Sequence, residues 1–301
     1  MSRPDGWRPH GWLVVDKPLG PTSAQVVGKL KWALRKGGHA KVKIGHGGTL
    51  DPLASGVLPV ALGEATKLAG YLLNGPKGYR FTLAFGRSTT TDDLEGETVE
   101  TSSLRPSDAQ IRAILPRFTG AIRQRPPAYS ALKVDGERAY ALARAGAPPE
   151  LAERDITIIA LDLVATDSDS ATFDVRCSKG TYVRSLARDI ALALGTVGHV
   201  ARLRRTGAGP FTLDQAVALD KCVALVHGAG LEQALLPLTA GLDDIPVLVV
   251  DPEDALALQQ GKRLSDPRVK PGHYIATNGS VPVALVEVSR CDVKVVRGFN
   301  F

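Results

Sequence analysis

The chain has 301 residues, a hydrophobic content of 44% and a formal net charge of +6. The hydrophobic content is normal for a globular protein, and the length allows one large domain plus a small one. Its three cysteines lie far apart without a CxxC pair, which argues against a disulfide framework and a zinc knuckle. The six histidines show no metal-ligand spacing, so we expect no metal.

The N-terminal segment "MSRPDGWRPHGWLVVDKP" lacks the apolar core of a signal peptide. No later run of about twenty apolar residues could cross a bilayer. The scattered cysteines suit a reducing compartment. We therefore expect a soluble, cytoplasmic protein.

Basic residues are concentrated in two segments, one early and one late in the chain. They are Lys29, Lys31, Arg35, Lys36, Lys41 and Lys43, followed by Arg202, Arg204 and Arg205. Together with the net charge, this distribution favours a polyanionic partner, with nucleic acid as the first candidate. An ordinary solvated basic face is the competing interpretation.

The first half of the chain alternates strand and helix patterns. "GWLVVDKP" predicts a buried strand, and "SAQVVGKLKWALRK" predicts an amphipathic helix. "GVLPVALGEATKLAGYLL" predicts a strand followed by a helix that begins near Gly63. "YRFTLAFG" alternates apolar and polar residues, as a half-buried strand does.

The middle of the chain continues this alternation. "SDAQIRAILPRFTG" and "AYALARAG" predict helices, and "TFDVRCSKG" predicts a strand. "TYVRSLARDIALALG" predicts a helix that ends at Gly195. Because strict βαβ regularity is absent, we expect an α+β domain around a central mixed or antiparallel sheet flanked by helices.

The pattern changes after "PLTAGLDDIP". From there to the C-terminus, short strand patterns surround a single helix pattern, "PEDALALQQG". We therefore predict a catalytic or binding domain over residues 1–240 and a small β-rich domain over residues 241–301.

The loop "GHGGTLDPLASG" carries one acidic residue, Asp51, in a glycine-rich setting without lysine. Asp before Pro commonly begins a turn, so a structural role is the simplest interpretation. The loop lacks the Lys-Ser/Thr ending of a P-loop and the GxGxxG spacing of a dinucleotide fold. A catalytic role for Asp51 is the alternative, because loop residues often carry function.

Six segments, taken in order, resemble the bacterial tRNA pseudouridine synthase B (TruB) family. They are "LVVDKPLGPTS", "GHGGTLDPLASGVLPVALGEATK", "YRFTLAFG", "RPPAYSALKVDGERAYALAR", "CSKGTYVRSLARDI" and "HVARLRRTGAGPF". The resemblance covers residues 11 to about 240, and residues 241–301 resemble the PUA-like RNA-binding domain of that family. It implies the pseudouridine synthase fold, with an RNA-clasping insertion at about residues 121–152.

The resemblance also implies an activity, the isomerisation of uridine 55 in the tRNA T arm to pseudouridine. Asp51 matches the catalytic aspartate of the family. A carboxylate, with a reference pKa of about 4, is ionised at neutral pH without an activating base. The reaction needs no cofactor, tRNA is the implied partner, and we expect a monomer without membrane contact.

Two further residues match catalytic positions of the family. Arg184 matches the arginine of the GTYVR motif and is expected to hold the Asp51 carboxylate through its guanidinium. Tyr79 matches the tyrosine that stacks on the target base and could take the proton from its carbon 5. The competing interpretations are a surface arginine and a core tyrosine.

Other positions match substrate contacts of the family. His46 matches a histidine thought to wedge into the T loop, and Tyr182 and Leu203 match contacts to the flipped uridine. Lys17 matches a position near the site, where support of the loop is as plausible as contact with RNA. Asp93 aligns with an acidic position that organises the arginine network.

The chain departs from the family pattern at two positions. Gly47 stands where the family commonly has threonine, and Thr90 stands where an acidic residue is frequent. Neither change touches Asp51, so the expected activity is unaffected.

Three alternatives remain open at the level of sequence. The first is a non-catalytic RNA-binding or RNA-folding protein on the same scaffold. The second is a pseudouridine synthase for another RNA, and the third is a metal-dependent nuclease. The third is disfavoured because such nucleases use several acidic ligands, whereas Asp51 is isolated.

Overall fold

A computed structural model of the protein describes residues 8–130, 132–134, 136–147, 149–227, 230–242, 245–265 and 269–301. The helices are α1 (Ser23–Lys36), α2 (Ala69–Asn74), α3 (Asp108–Ile114), α4 (Ala139–Arg144), α5 (Val183–Ala193), α6 (Leu219–His227), α7 (Leu231–Ala234) and α8 (Pro252–Gln259). Short 3-10 helices cover Gly63–Leu68, Leu115–Phe118, Leu213–Gln215 and Leu238–Gly241.

The strands follow the same chain order. The first nine are β1 (Gly11–Lys17), β2 (Ile44–His46), β3 (Ala54–Leu62), β4 (Lys77–Phe85), β5 (Arg87–Thr89), β6 (Thr98–Thr101), β7 (Gly120–Gln124), β8 (Lys133–Val134) and β9 (Glu137–Arg138). The others are β10 (Arg154–Thr166), β11 (Ser170–Cys177), β12 (Gly198–Ala208), β13 (Phe211–Thr212), β14 (Val217–Ala218), β15 (Val247–Val249), β16 (Leu264–Ser265), β17 (Gly272–Asn278), β18 (Val281–Ser289) and β19 (Asp292–Gly298).

The fold consists of two compact units, and strand β3 contributes residues to both. The first unit contains residues 1–50, 57–73 and 209–301, and the second contains residues 51–56 and 74–208. This division does not follow the chain order, because residues 51–56 belong to the unit formed mainly by residues 74–208.

In the second unit, a sheet with both parallel and antiparallel pairs carries the strands in the order β3, β12, β4, β11, β10, β7. The first residues of β3 pair in parallel with β12, and the remaining neighbours are antiparallel. Alternation in β4 buries Phe81, Leu83 and Phe85 on one face, where α5 contributes Leu186 and Ile190 to the same core. This core supports the strand ends that carry the site.

The first unit begins with β1, which pairs in parallel with β14. Helix α1 starts with a capping box, in which Thr22 accepts from the Gln25 backbone N–H and Gln25 accepts from that of Thr22. Its predicted apolar face is confirmed, since Val26, Leu30 and Leu34 are buried. This face packs against α6.

The C-terminal part of the first unit is β-rich, as predicted. Its sheet has the order β15, β17, β18, β19, β16, and helix α8 packs on it. Leu258 of this helix is buried with Val286 and Val293 of the strands in a separate hydrophobic core. The expected helix "PEDALALQQG" corresponds to α8, which Asp251 caps by accepting from the Asp254 N–H.

Most predicted elements are confirmed, but several elements were not anticipated from the sequence. The longer ones among the described residues are the strands β10 and β12 and the helix α6. None of the helices within the described residues combines the length and apolar composition needed to cross a bilayer.

Candidate active site

Asp51 lies in the turn that leads into strand β3. The backbone N–H of Ala54 donates to the Asp51 carbonyl at 3.0 Å and closes this turn. Ala54 then pairs with Leu203 of β12, and Gly56 pairs with Arg205. The Asp51 side chain is 45% exposed, so the turn presents its carboxylate to solvent rather than to the core.

Arg184 holds that carboxylate. Its Nη2 is 3.0 Å from Oδ2 of Asp51, and only 8% of the arginine side chain is exposed. The same guanidinium donates to the carbonyl oxygens of Thr91 and Tyr129, both at 3.0 Å. Because Arg184 occupies the first turn of α5, the helix and these two carbonyls together determine where the guanidinium points.

Asp93 contacts the other side of Arg184. Its Oδ2 lies 3.5 Å from Nη1 of Arg184, and its side chain is 9% exposed. Its Oδ1 accepts hydrogen bonds from the Thr91 hydroxyl and the Glu95 backbone N–H. One carboxylate oxygen therefore shapes the loop while the other faces the arginine, which is consistent with the organising role predicted for Asp93.

A second ion pair, which sequence reasoning missed, lies beside the first. Arg188 is 3.0 Å from Oδ2 of Asp92, and it also donates to the carbonyl of Arg125 at 3.1 Å. Asp92 has a positive φ of 59°, unusual outside glycine. Burial raises the pKa of Asp92, although the Arg188 and Arg184 guanidinium groups oppose this rise. The one-turn spacing of the two arginines was the available signal.

Tyr79 and Arg205 form a third pair near Asp51. They are opposite each other on the antiparallel strands β4 and β12. Burial raises the pKa of the Tyr79 phenol, while the charge and hydrogen bond of Arg205 act in the opposite direction. The Asp51 carboxylate also disfavours phenol ionisation. The Tyr79 ring is half-buried against the hydrophobic core. Tyr79 therefore also contributes to the core, as the competing interpretation of the sequence had it.

Arg205 corrects one expectation from the sequence. It was counted with Arg202 and Arg204 in a basic surface cluster, yet its side chain is 1% exposed. Alternation along β12 turns Arg205 inward, where burial lowers its pKa and the Tyr79 phenol is its partner. The three arginines therefore differ in exposure, since Arg202 is exposed, Arg204 is half-buried and Arg205 is buried.

An open cleft adjoins these groups, with about 270 Å³ of empty space when the adjoining open solvent is included. It is lined by Asp51, Asp93 and Arg184 together with residues 53–54 and 200–203. Leu203 is thus at the cleft, and its contact with a bound uridine stays a prediction. The lining combines a carboxylate held by a guanidinium with apolar residues of the strands and the turn.

Tyr182 lies two residues before Arg184, at the N-cap of α5. Gln124 bonds both the N–H and the carbonyl of Tyr182, at 2.8 and 3.1 Å. The Arg154 guanidinium lies 5.8 Å from the centre of the Tyr182 ring. Tyr182 is not among the described residues that line the cleft. Its contact with a bound uridine therefore stays a prediction.

His46 and Lys17 belong to the first unit. His46 ends β2, is half-buried and pairs with Val60 of β3. Lys17 is fully buried at the end of β1, and its ammonium donates to the Pro18 carbonyl at 2.9 Å. This burial favours the supporting role for Lys17 over direct contact with RNA.

The departure at Gly47 has a packing explanation. A Cβ at this position would lie 2.9 Å from Cδ1 and 3.3 Å from Cβ of Leu72. The Gly47 N–H donates to the Pro59 carbonyl at 2.8 Å, so the backbone has little room to retreat. A threonine at position 47 would therefore require Leu72 to move.

Comparisons with known proteins show which family the chain resembles. A family model described as "TruB family pseudouridylate synthase (N terminal domain)" matches residues 35–183, and one described as "tRNA pseudouridylate synthase B C-terminal domain" matches residues 184–243. The tRNA pseudouridine synthase B of Novosphingobium aromaticivorans is 56% identical over 96% of this chain and 97% of its own. The tRNA pseudouridine synthase B of Zymomonas mobilis is 53% identical over 97% of this chain and 96% of its own.

A solved structure confirms the predicted fold class. One chain of the "Crystal Structure of a Cbf5-Nop10-Gar1 Complex" matches with a TM-score of 0.76 and 26% identity. The match covers 100% of this chain and 91% of that chain. With the paired Asp51 and Arg184 at an open cleft and relatives similar over nearly their whole length, the chain belongs to the TruB family of pseudouridylate synthases.

Proposed function

We propose that the protein isomerises uridine 55 in the T arm of tRNA to pseudouridine, after the nucleotide is flipped out of its stack. The observation that carries the proposal is the half-exposed Asp51 carboxylate held 3.0 Å from a buried guanidinium at an open cleft. The relatives named as tRNA pseudouridine synthase B support tRNA as the substrate.

The chemistry conserves atoms and electrons. The bond from N1 to the sugar C1′ breaks, a bond from C5 to C1′ forms, and the proton on C5 is replaced by one on N1. Asp51 supplies the carboxylate beside the ribose and the base. Arg184 holds that carboxylate in place, so no rearrangement is needed when the nucleotide enters.

Tyr79 has two proposed tasks. Its ring stacks on the extruded base, which offsets unstacking by roughly 1 to 3 kcal/mol. Its oxygen, ionised to phenolate after its own proton passes to solvent, accepts the proton that leaves C5 of the rotated base. The hydrogen bond from Arg205 supports the second task, because a guanidinium stabilises the phenolate, whereas burial acts in the opposite direction.

Leu203, Tyr182, His46 and Lys17 are proposed to bind or support the substrate. Leu203 has the most direct support, since it lines the cleft with Asp51. We also propose that residues 121–152 clasp the RNA. Tyr129 of this segment accepts a hydrogen bond from Arg184, which links the segment to the catalytic pair.

We retain residues 1–240 and 241–301 as proposed domains, with a PUA-like RNA-binding role for the second. The separate hydrophobic core of residues 241–301 supports their assignment as a distinct domain. Because Asp51, Tyr79 and Arg184 come from one chain, we propose that the monomer is active. A tRNA substrate also favours action in the cytoplasm.

The test measures tritium release from carbon 5 of uridine in a tRNA T-arm hairpin. We expect Asp51→Asn to abolish release while the hairpin still binds, because the substitution removes a charge without changing shape. Asp162→Asn is the matched control, since Asp162 is exposed on β10. A hairpin with cytidine at position 55 should release nothing.

Retained turnover in Asp51→Asn would contradict the catalytic assignment. Release from the hairpin that lacks uridine 55 would show that another uridine is the target. RNA binding by the wild type without any release would favour the non-catalytic RNA-binding alternative.

A further inference from the structure

The first unit contains a groove beside helix α1 that the proposed reaction does not use. It has about 880 Å³ of open space between the outer face of α1 and the segment 39–42 that follows it. Gly28 leaves the helix side of this groove open, because a Cβ there would meet nothing within 4 Å. Leu34 and Val42 supply apolar lining.

The segment that forms the second wall is fixed to its surroundings. The His39 N–H donates to the Leu34 carbonyl at 3.1 Å, which joins the segment to α1. The His39 ring lies 2.8 Å, through Nε2, from the Val226 carbonyl of α6. The groove is therefore bounded by two elements that hydrogen bonds hold in place.

Trp32 is the unusual residue of this groove. It is 48% exposed although tryptophan is generally well buried. Trp12, in contrast, is fully buried and donates its indole N–H to the Leu238 carbonyl. An exposed indole face is a platform on which an unpaired base can stack.

Three cations line the same groove, namely Lys31, Arg35 and Lys41. None of them forms an ion pair within the part of the chain that the structure describes, and no Asp or Glu occurs among the described lining residues. Arg35 is in the last turn of α1, where a cation also stabilises the helix dipole. Lys31 and Lys41 are outside that turn, so the dipole does not account for them.

We propose that this groove is a second RNA-binding site, which takes a single-stranded segment by stacking one base on Trp32 and contacting adjacent phosphates through Lys31, Arg35 and Lys41. The combination of a cationic groove and an aromatic platform is the usual means of binding single-stranded nucleic acid without sequence preference. The proposal rests on the proposed function for the identity of the RNA, and it extends substrate contact beyond the catalytic cleft.

The test measures the dissociation constants of a tRNA transcript and of a labelled uridine hexanucleotide. We expect Trp32→Ala and Trp32→Leu to weaken both complexes at least about 5-fold, whereas Trp32→Phe keeps most of the affinity. The double variant Lys31→Ala/Lys41→Ala should also lower the slope of log affinity against log salt by about 1.4, if both lysines contact phosphate. Lys221→Ala/Arg117→Ala removes the same charge from exposed positions outside the groove and should not reproduce this loss of affinity.

Equal affinities for the groove variants and the control double variant would overturn the proposal. So would displacement of the hexanucleotide by uridine monophosphate at equal concentration, since the groove would then be a mononucleotide site. Tritium release from the T-arm hairpin by the wild type is measured in parallel. Its absence would count against the proposed function, while the groove is judged from binding alone.

Discussion

Arg205 is directly opposite Tyr79 across strands β12 and β4, and its buried guanidinium hydrogen-bonds the phenol. A buried arginine is costly unless its donors have partners. The pairing therefore meets a structural need and also places a positive charge beside the Tyr79 oxygen, where it favours the phenolate form. The following predictions test this pair and its neighbours.

Removing the phenol should separate stacking from proton transfer. Tyr79→Phe retains the ring, so binding of the T-arm hairpin should change little, whereas turnover should fall by roughly 10² or more. The measurements are tritium release and the hairpin dissociation constant. Tyr71→Phe is the control, because Tyr71 lies on α2 in the first unit and has no proposed role in the reaction. Unchanged turnover in Tyr79→Phe would exclude a role for the phenol.

Arg184→Lys should retain the charge but lose the geometry. The guanidinium contacts Asp51, Thr91 and Tyr129 together, and one ammonium cannot reproduce this planar arrangement. We expect the turnover number to fall roughly 10² to 10³-fold, comparable to loss of one preorganised donor. Single-turnover kinetics provide the measurement. Arg112→Lys, in an exposed pair with Asp108, should behave as the wild type. Full activity of Arg184→Lys would mean that charge alone suffices.

Lys77 should make stability depend on pH in the alkaline range. Burial, with help from Arg205, lowers the pKa of its ammonium to about 8. Between pH 8 and the usual lysine pKa of about 10.4, the unfolded chain binds more protons than the folded chain, so this lysine makes stability rise with pH. Below pH 8 both states are protonated and its contribution is constant.

The comparison is with Lys77→Met, which lacks the titrating group. Urea unfolding at pH 7.5, 8.5 and 9.5 should show the wild type gaining stability relative to this variant as pH rises. A difference between the two proteins that is the same at all three pH values would contradict the lowered pKa.

Gly56→Ala should destabilise the fold next to Asp51. Gly56 has a φ of +102°, and an added Cβ would collide with the backbone carbonyl of Arg205 on the paired strand. We expect a loss of roughly 2 kcal/mol or more in the free energy of unfolding, measured by urea denaturation. Gly70→Ala is the control, because a Cβ there meets nothing within 4 Å. Equal stability of the two variants would show that the turn can relax.

Much of the fold was predictable because its signals are local. The alternation in β4, the capping box of α1 and the apolar stripe of α5 depend on residues within one or two turns of each other. The sequence did not predict strand β10. Its burial alternates along the strand, but polar and charged residues interrupt its apolar pattern at both ends and in the middle. Elements with a weak local pattern depend on their neighbours in the sheet, here β11 and β7.

The candidate site divides in the same way. Asp51, Tyr79 and Arg184 could be named from motifs, since each stands in a recognisable short segment. The family resemblance also implied the pairing of Asp51 with Arg184 and a role for Asp93 near the arginines. The contacts of Thr91 and Arg205 could not be named, because these residues reach the site from a loop and a strand that are distant in sequence.

The sequence by itself determined the family through its motifs, many strands and helices through local periodicity, and the candidate reactive side chains through their match to those motifs. Only the tertiary structure decided which charges face each other and which are buried. Arg202 and Arg205 illustrate the reason, since they are three residues apart on β12 but one is exposed and the other is 1% exposed. Burial and pairing depend on the opposite strand, and that strand is remote along the chain.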